Sequence, residues 1–485
     1  MLVVLSDLHF VDGTSGNHNL PVDAFRDVFL ENVAELARGN QATEVTLLLL
    51  GDIPDLIRSS HWLDAKPQDR PWGANGLADV ENYRSFRKEN SPTITERICQ
   101  RILGVLPEDG DRSKVPFDSI LGRNWDTFAF FRNFEEELRA QLYPDMQDIK
   151  AQLIYVPGNH DRLINLYPSL RDEFKKMLGL TVTADVVLGD VDDEWWYRYD
   201  FLSEYYGVYA RHGHQYDPWN YGAGPMNSAE RKDHLQPCIG DVVAAEFAVR
   251  LPWEARRMGL SEDLVHKLQD MDNVRPLSRL MEWFYSNMHT HVQAAETREA
   301  LDNVFDKVIR NLVSLDFVQN WDTPHTKVDD VVRGITSSVG RWAVDKLVDL
   351  TDVSSLVGEG LLNLVAPLLG PPATQENDRF IQAAYREEIW RANKKVRFVL
   401  YGHTHNPMIV PLDGEEEESV LYFNTGTWRE RIYRTVKLDK EANFVKLKQM
   451  SYYIFYGADE DVGKKPGTVS FDMWTGNKLK HYVTE

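Results

Sequence analysis

Cysteine is almost missing from this chain: Cys99 and Cys238 are the only two in 485 residues. A disulfide framework is therefore excluded as the basis of the fold, and two thiols so far apart fit a reducing compartment. Long apolar runs are missing as well. The most apolar stretch, Leu356 to Leu369, is interrupted by Glu359, Asn363 and Pro367. It is too short to span a bilayer and reads as a buried helix, with an interfacial helix as the alternative. The opening Met1-Leu2-Val3-Val4-Leu5 runs straight into Ser6-Asp7, too short an apolar run and without the leading positive charge of a signal peptide. Together these features predict a cytoplasmic location. Basic residues are in deficit too: 54 Lys and Arg against 75 Asp and Glu give a formal net charge of -21. Affinity gained by neutralising nucleic-acid phosphates needs a basic surface, so nucleic acid is disfavoured as a partner. No internal repeat is present, and the one biased tract is the acidic Glu415 to Glu418 loop.

What the chain does have is a set of short apolar runs that each end in a polar turn. They are LVVLSDLH from Leu2, VTLLLLGDIPD from Val45, LIYVPGNHD from Leu153, GVYARHGH from Gly207, VRFVLYGHTH from Val396 and VLYFNTGTW from Val420. Continuous apolar runs of this length read as strands buried on both faces. Phe25, Phe29, Val33 and Leu36 fall at helical spacing between the first two runs, so the chain opens β-α-β. Two stretches break the rhythm. Residues 58–124 are polar and rich in Pro, Trp and Arg, with one helical piece at Thr95 to Leu106, and read as an insertion; Trp125 to Leu142 then returns as a helix. Residues 229–395 show almost no strand pattern. Their helical segments include one N-capped by Ser261, with Glu262 and Asp263 in its first turn, and a last helix from Glu376 to Asn393 set off by Pro371-Pro372. This stretch is expected to be a helical cap. Alternation in Arg434 to Leu438 and Val445 to Leu447 predicts a final antiparallel pair. The expected organisation is a core of 1–57, 125–228 and 396–485, interrupted by the insertion 58–124 and the cap 229–395.

The turns after these strands hold Asp7-x-His9, Gly51-Asp52-x-x-Asp55, Gly158-Asn159-His160-Asp161, His212-Gly213-His214 and Gly402-His403-x-His405. Each alone is ordinary turn chemistry. An accidental Gly-Asn-His-Asp would occur in on the order of one chain in a few hundred, and here four other motifs accompany it in order. Imidazoles presented from a tight turn at a strand end suit a metal and are awkward in a core. In this order the motifs resemble the signature of the calcineurin-like metallophosphoesterase family: D-x-H, G-D-x-x-D, G-N-H-[DE], a His-Gly pair, then G-H-x-H. The resemblance covers residues near 1 to 56, 125 to 225 and 396 to 450, without a departure at a ligand position. The turn Asn424-Thr425-Gly426-Thr427 is similar to the N-x-G-[ST] that often follows. The implied fold is a four-layer α/β sandwich, two mixed sheets covered by helices, carrying here a large helical cap insertion.

Carried over residue by residue, the resemblance implies two divalent metal ions. One takes Asp7, His9, Asp52 and His405; the other takes Asp52, Asn159, His212 and His403. Asp52 is the bridge, since a carboxylate offers two oxygens. Two such cations, typically ~3.5 to 4 Å apart, activate a water and clamp both oxygens of an in-line phosphoryl displacement. With two carboxylates among the ligands the centre keeps about +2, which lets an acidic protein attract a phosphoester. Imidazole, carboxylate and amide ligands suit Mn²⁺, with Fe or Zn²⁺ as alternatives. In the family the residue at His160 faces the substrate, stabilising charge or protonating the leaving group, and Asp161 is expected to orient it. Asp55 is expected to orient a ligand, while His214 stays open between a site residue and a turn residue. The run His212-Gly213 to Asp217, followed by Pro218-Trp219-Asn220, resembles the branch containing lipid-A-pathway UDP-sugar pyrophosphatases. The expected function is a metal-dependent phosphoesterase acting on a small-molecule or lipid-linked phosphomonoester or phosphodiester. A pyrophosphatase acting on a lipid- or nucleotide-linked substrate is one alternative. A non-catalytic scaffold of the same fold binding a protein partner is another. The sequence carries no signal for an oligomeric state.

Overall fold

Successive residues of a strand point to opposite faces, and in the computed structural model the Leu2–Leu5 strand fills both: Leu2 and Val4 enter one core, Val3 and Leu5 another. The neighbouring Glu44–Leu50 strand divides the same way, Leu48 and Leu50 against Leu47 and Leu49. The structure describes residues 1–16, 18–88, 91–180, 187–189, 195–222, 231–275, 279–284, 292, 294–321, 373–413, 419–435, 444–460 and 467–477.

Two mixed sheets result. The first runs in the order Lys150–Val156, Glu44–Leu50, Leu2–Leu5, Phe444–Tyr456, Glu430–Arg434 and Val274–Arg275, with Ser470–Asn477 also paired to Phe444–Tyr456. Its first three strands are parallel, and Phe444–Tyr456 is antiparallel to each of its partners. The second runs Met408–Asp413, Val420–Asn424, Phe398–Tyr401, Val208–Ala210 and Phe201–Ser203, with the central three parallel. Leu2, Val4, Leu48 and Leu50 of the first sheet meet Val208, Phe398, Leu400 and Phe423 of the second. Each such buried side chain is worth ~1.5–3 kcal/mol relative to exposure. On the outside of the first sheet lie Phe25 and Phe29, Phe128 and Phe131, and Leu138 from the helices between strands. On the outside of the second, Tyr209, Val399, Tyr401 and Tyr422 pack on Phe380, Ala384 and Trp390 of the helices Ala373–Arg386 and Glu388–Ala392. The order helix, sheet, sheet, helix is the four-layer sandwich.

The described part of the cap is helical apart from Val274–Arg275, and Ser261 caps one helix by accepting the Leu264 N–H. Its Leu251, Val265, Leu301 and Val308 join the core on the helical side of the first sheet. Glu246 ties it to the earlier insertion: fully buried, it pairs with Arg70 at 2.5 Å and accepts Trp72 Nε1–H at 3.2 Å, while its other oxygen meets Arg250 Nε at 2.9 Å.

Several local expectations need correction. The predicted helix from Trp125 to Leu142 is two helices, Trp125–Arg132 and Phe134–Leu142. Asn133 leaves the helical backbone between them, as a residue whose side chain competes for backbone groups tends to. The last cap helix likewise breaks at Glu387, whose carboxylate is drawn to the Tyr401 hydroxyl at 2.8 Å. Val274–Arg275, within a stretch read as strandless, adds a short parallel strand beside Glu430–Arg434. Leu356 to Leu369, Pro371-Pro372 and the acidic 415–418 loop lie outside the described residues. Among the described residues no helix is long and apolar enough to cross a membrane.

Candidate metal centre

Strands that run parallel present their carboxyl ends at one edge, which is where open α/β sheets gather their sites. Here both sheets contribute to one such edge. Asp7 and His9 follow Leu2–Leu5, Asp52 follows Glu44–Leu50, and Asn159 to Asp161 follow Lys150–Val156. From the second sheet, His212 follows Val208–Ala210, and His403 and His405 follow Phe398–Tyr401.

The backbone is strained at these turns. Among the described residues, five of the seven non-glycine positions with positive φ are Asp7 (53°), His9 (47°), Asp52 (54°), His403 (70°) and His405 (60°). Such conformations cost on the order of 1–3 kcal/mol each and cluster where function requires them. Two motif glycines are required by close approach. A Cβ on Gly51 would lie 2.3 Å from His212 Nδ1, and one on Gly158 would lie 2.2 Å from Asp52 Oδ1.

Two clusters form around Asp52. In the first, His405 Nε2 lies 3.2 Å from Asp7 Oδ1 and 3.0 Å from His9 Nε2, and His9 Nε2 lies 3.6 Å from Asp52 Oδ2. In the second, His212 Nε2 lies 3.2 Å from the same Asp52 Oδ2, and Asn159 Oδ1 lies 3.1 Å from His403 Nδ1. The Asp7, His9, His405 group and the Asp52, His212, His403 group each have ligand atoms close enough to hold one ion, and His9, Asp55 and His160 come as close together.

Hydrogen bonds behind the rings fix which nitrogen faces inward. His9 Nδ1 is held by Asp55 Oδ2 at 3.0 Å, so its Nε2 is the lone pair. His212 Nδ1 donates to the Leu50 carbonyl at 2.9 Å, leaving Nε2 buried without an aligned hydrogen-bond partner. His403 Nε2 donates to Asp217 at 3.0 Å, freeing Nδ1 toward Asn159. Inward lone pairs set by outer hydrogen bonds are what metal-binding histidines require, and His9, His212 and His403 supply them for divalent cations; His405 departs, since the Arg275 guanidinium donor faces its Nδ1 and favours the proton on the inward Nε2.

Burial and neighbouring charge oppose each other across the centre. Burial pushes the Asp7 carboxyl up to about 7 and the His9 imidazole down to about 4. For Asp52, burial opposes ionisation, but His212 and His160 hold it well below the usual carboxylate range. Burial likewise opposes protonation of His160, yet Asp55 and Asp52 raise it to about 9.

His160 is more exposed than the ligands: its side chain is 18% exposed against 7% for His403 and 8% for His405, while Asp7, His9, Asp52, Asn159 and His212 are buried. Its N–H donates to Asp52 Oδ1 at 2.9 Å, and its Nδ1 lies 3.0 Å from Asp55 Oδ1, leaving Nε2 toward the open side. The carboxylate against His160 is therefore Asp55. Asp161, expected in that place, instead accepts the backbone N–H groups of Gly158 at 2.5 Å and Ile53 at 3.0 Å, stapling the two loops that carry Asn159 and Asp52. His214 is buried with both ring nitrogens unpartnered, its ring 5.5 Å from that of His212, and it stands outside both ligand groups. Sequence reading gave no role to Arg275, whose Nη2 lies 3.2 Å from His405 Nδ1. It gave Asp217 only a motif position; the signal was the acid five residues after His212.

No family model matches this chain, and neither a curated protein nor a solved structure matches it. The mixed sheets and the two His/Asp clusters are consistent with a metallophosphoesterase-like fold.

Proposed function

We propose that this chain is a metal-dependent phosphoesterase of the calcineurin-like type, hydrolysing a small-molecule or lipid-linked phosphomonoester or phosphodiester in the cytoplasm. The observation that carries the reading is Asp52 Oδ2, within 3.6 Å of a histidine nitrogen from each cluster. Asp7, His9, Asp52 and His405 would hold one Mn²⁺, and Asp52, Asn159, His212 and His403 the other. Two divalent ions there would supply an activated water and neutralise charge on the phosphoryl oxygens. The chain's own residues do the rest. His160 would offer Nε2–H to a phosphoryl or leaving-group oxygen, and Asp55 would keep that proton directed outward by accepting from Nδ1. Asp161 acts through the loops it holds, keeping Asp52 and Asn159 in register. All the ligands fall in the core segments 1–57, 125–228 and 396–485, which leaves the insertion 58–124 and the cap 229–395 to select the substrate.

The test is metal stripping with a chelator, reconstitution with Mn²⁺, and hydrolysis of p-nitrophenyl phosphate and of its bis ester. Close to two metals per chain and activity restored on at least one ester are expected. A protein that binds no Mn²⁺, or binds it and hydrolyses neither ester, would contradict the reading.

A further inference from the structure

A buried group of arginines lies beside the first ligand set. Arg58, just beyond the loop carrying Asp52 and Asp55, is 2% exposed, and Arg429, after the Asn424-Thr425-Gly426-Thr427 turn, is 3% exposed. Arg275 arrives from the Val274–Arg275 strand and reaches His405. One residue meets all three, by its carboxylate or its backbone carbonyl. Asp272 contacts Arg58 Nη2 and accepts from Arg429 Nη2 at 3.1 Å, and its backbone carbonyl accepts from Arg275 Nη1 at 2.8 Å. The other acid within reach, Asp55, lies 3.8 Å from Arg58 Nη1 and is already bonded to His9 and His160.

Donors are left over. Arg58 Nε and Nη1 and Arg429 Nε are buried without a hydrogen-bond partner. Burial first, and the neighbouring Arg58 charge second, pull the Arg429 guanidinium down to about 10. Buried guanidinium groups that lack partners are costly, and a site keeps them where a ligand completes them. Their planar forks match the oxygens of a phosphoryl group.

We propose that Arg58, Arg275 and Arg429 form a subsite for a second phosphoryl group, so that the preferred substrate carries two: one at the metal centre and one on the arginines. This rests on the phosphoesterase reading of that centre and narrows its substrate class. Asp272, with Asp55 shared between Arg58 and two histidines, leaves the three guanidinium groups short of negative charge, which a phosphoryl group would supply. A substrate with a single phosphate would leave them so.

The experiment is calorimetric titration of the full Mn²⁺-loaded chain with inorganic phosphate and with methylenediphosphonate, whose P–C–P link resists hydrolysis. The diphosphonate is expected to bind at least about tenfold tighter than phosphate, and Arg275→Gln is expected to remove most of that ratio. Arg58→Lys keeps the charge but loses the fork, and is expected to lower the ratio in part; it also covers the case in which Arg275→Gln fails to fold. Because a diphosphonate can chelate two cations unaided, the ratio in the variants decides. A ratio unchanged in both variants, or near one in the wild type, overturns the subsite. If the wild type hydrolyses p-nitrophenyl phosphate but shows no ratio, the subsite falls and the phosphoesterase reading stands. An arginine-dependent ratio with no ester hydrolysed leaves the subsite standing and the phosphoesterase reading fallen.

Discussion

Asp55 gives one carboxylate oxygen to each of two imidazoles: Oδ2 lies 3.0 Å from His9 Nδ1 and Oδ1 lies 3.0 Å from His160 Nδ1. One buried side chain therefore sets the orientation of a proposed metal ligand and of the proposed proton donor together. Asp55→Asn replaces one of those acceptors by an amide N–H that faces another N–H. Metal affinity is expected to fall about 10- to 100-fold, as when other outer partners of metal-bound histidines are removed. At saturating Mn²⁺ kcat should remain depressed, because His160 has lost its partner as well. Metal titration and steady-state kinetics on one preparation read both effects, and recovery of full kcat at high Mn²⁺ would show that Asp55 serves His9 alone.

Acid sensitivity follows from Asp272. Burial alone would raise its carboxyl, but Arg58, Arg429 and Arg275, with His18 also facing it, hold it far below the usual carboxylate range. A carboxyl depressed in the folded state contributes stability that is fully present above its unfolded value, near 3.9, and is lost as pH falls below that value. Asp272→Asn should therefore be less stable than wild type at pH 7, with the gap narrowing only below about pH 4. Urea unfolding at pH 7, 5 and 3 measures it. A gap of constant size across that range would remove the ionised carboxylate from the account.

Much of this was legible in the sequence, and the exceptions share a cause. The continuous apolar runs gave the strands because burial on both faces leaves a local trace. The ligand motifs were visible because each turn carries its own residues within a few positions. Contacts made by side chains distant in sequence left no such trace. Arg275 meets His405 across 130 positions and Asp217 meets His403 across 186. Asp161 looked like the partner of His160 because it is adjacent in the chain, whereas Asp55, 105 positions away, is adjacent in space. Val274–Arg275 is too short for an alternating pattern, and Asn133 breaks a helix whose hydrophobic spacing runs through it unchanged.

The link between the insertion and the cap depends on Glu246. It is fully buried and holds Arg70 and Arg250 at once. Glu246→Ala would leave the buried Arg70 guanidinium without its carboxylate and Arg250 with Glu254 alone, 3.9 Å away, a loss of about 3–5 kcal/mol by comparison with other broken buried pairs. A clear fall in the urea midpoint is expected, with Mn²⁺ content at low temperature unchanged because no proposed metal ligand touches this network. Loss of metal together with stability would mean that the insertion and cap help to shape the centre.

Binding and chemistry should separate at Asp52 and His160. Asp52→Asn supplies one neutral oxygen where both clusters need an anionic one, and two cations held close together then repel with less negative charge between them. Mn²⁺ content should fall. His160→Asn keeps every proposed ligand, since His160 touches Asp52 only through its backbone N–H. What it removes is the imidazole whose Nε2 faces the open side, a contribution of about 10²- to 10⁴-fold for a positioned acid or base. Metal content should stay near the wild-type value while kcat drops, with p-nitrophenyl phosphate as substrate and the same Mn²⁺ concentration for all three proteins. The exposed ring edge of His160 and the burial of the ligands are the structural grounds for that split. If His160→Asn loses metal as fully as Asp52→Asn, His160 is a ligand or a folding residue, and the division of roles between the two must be abandoned.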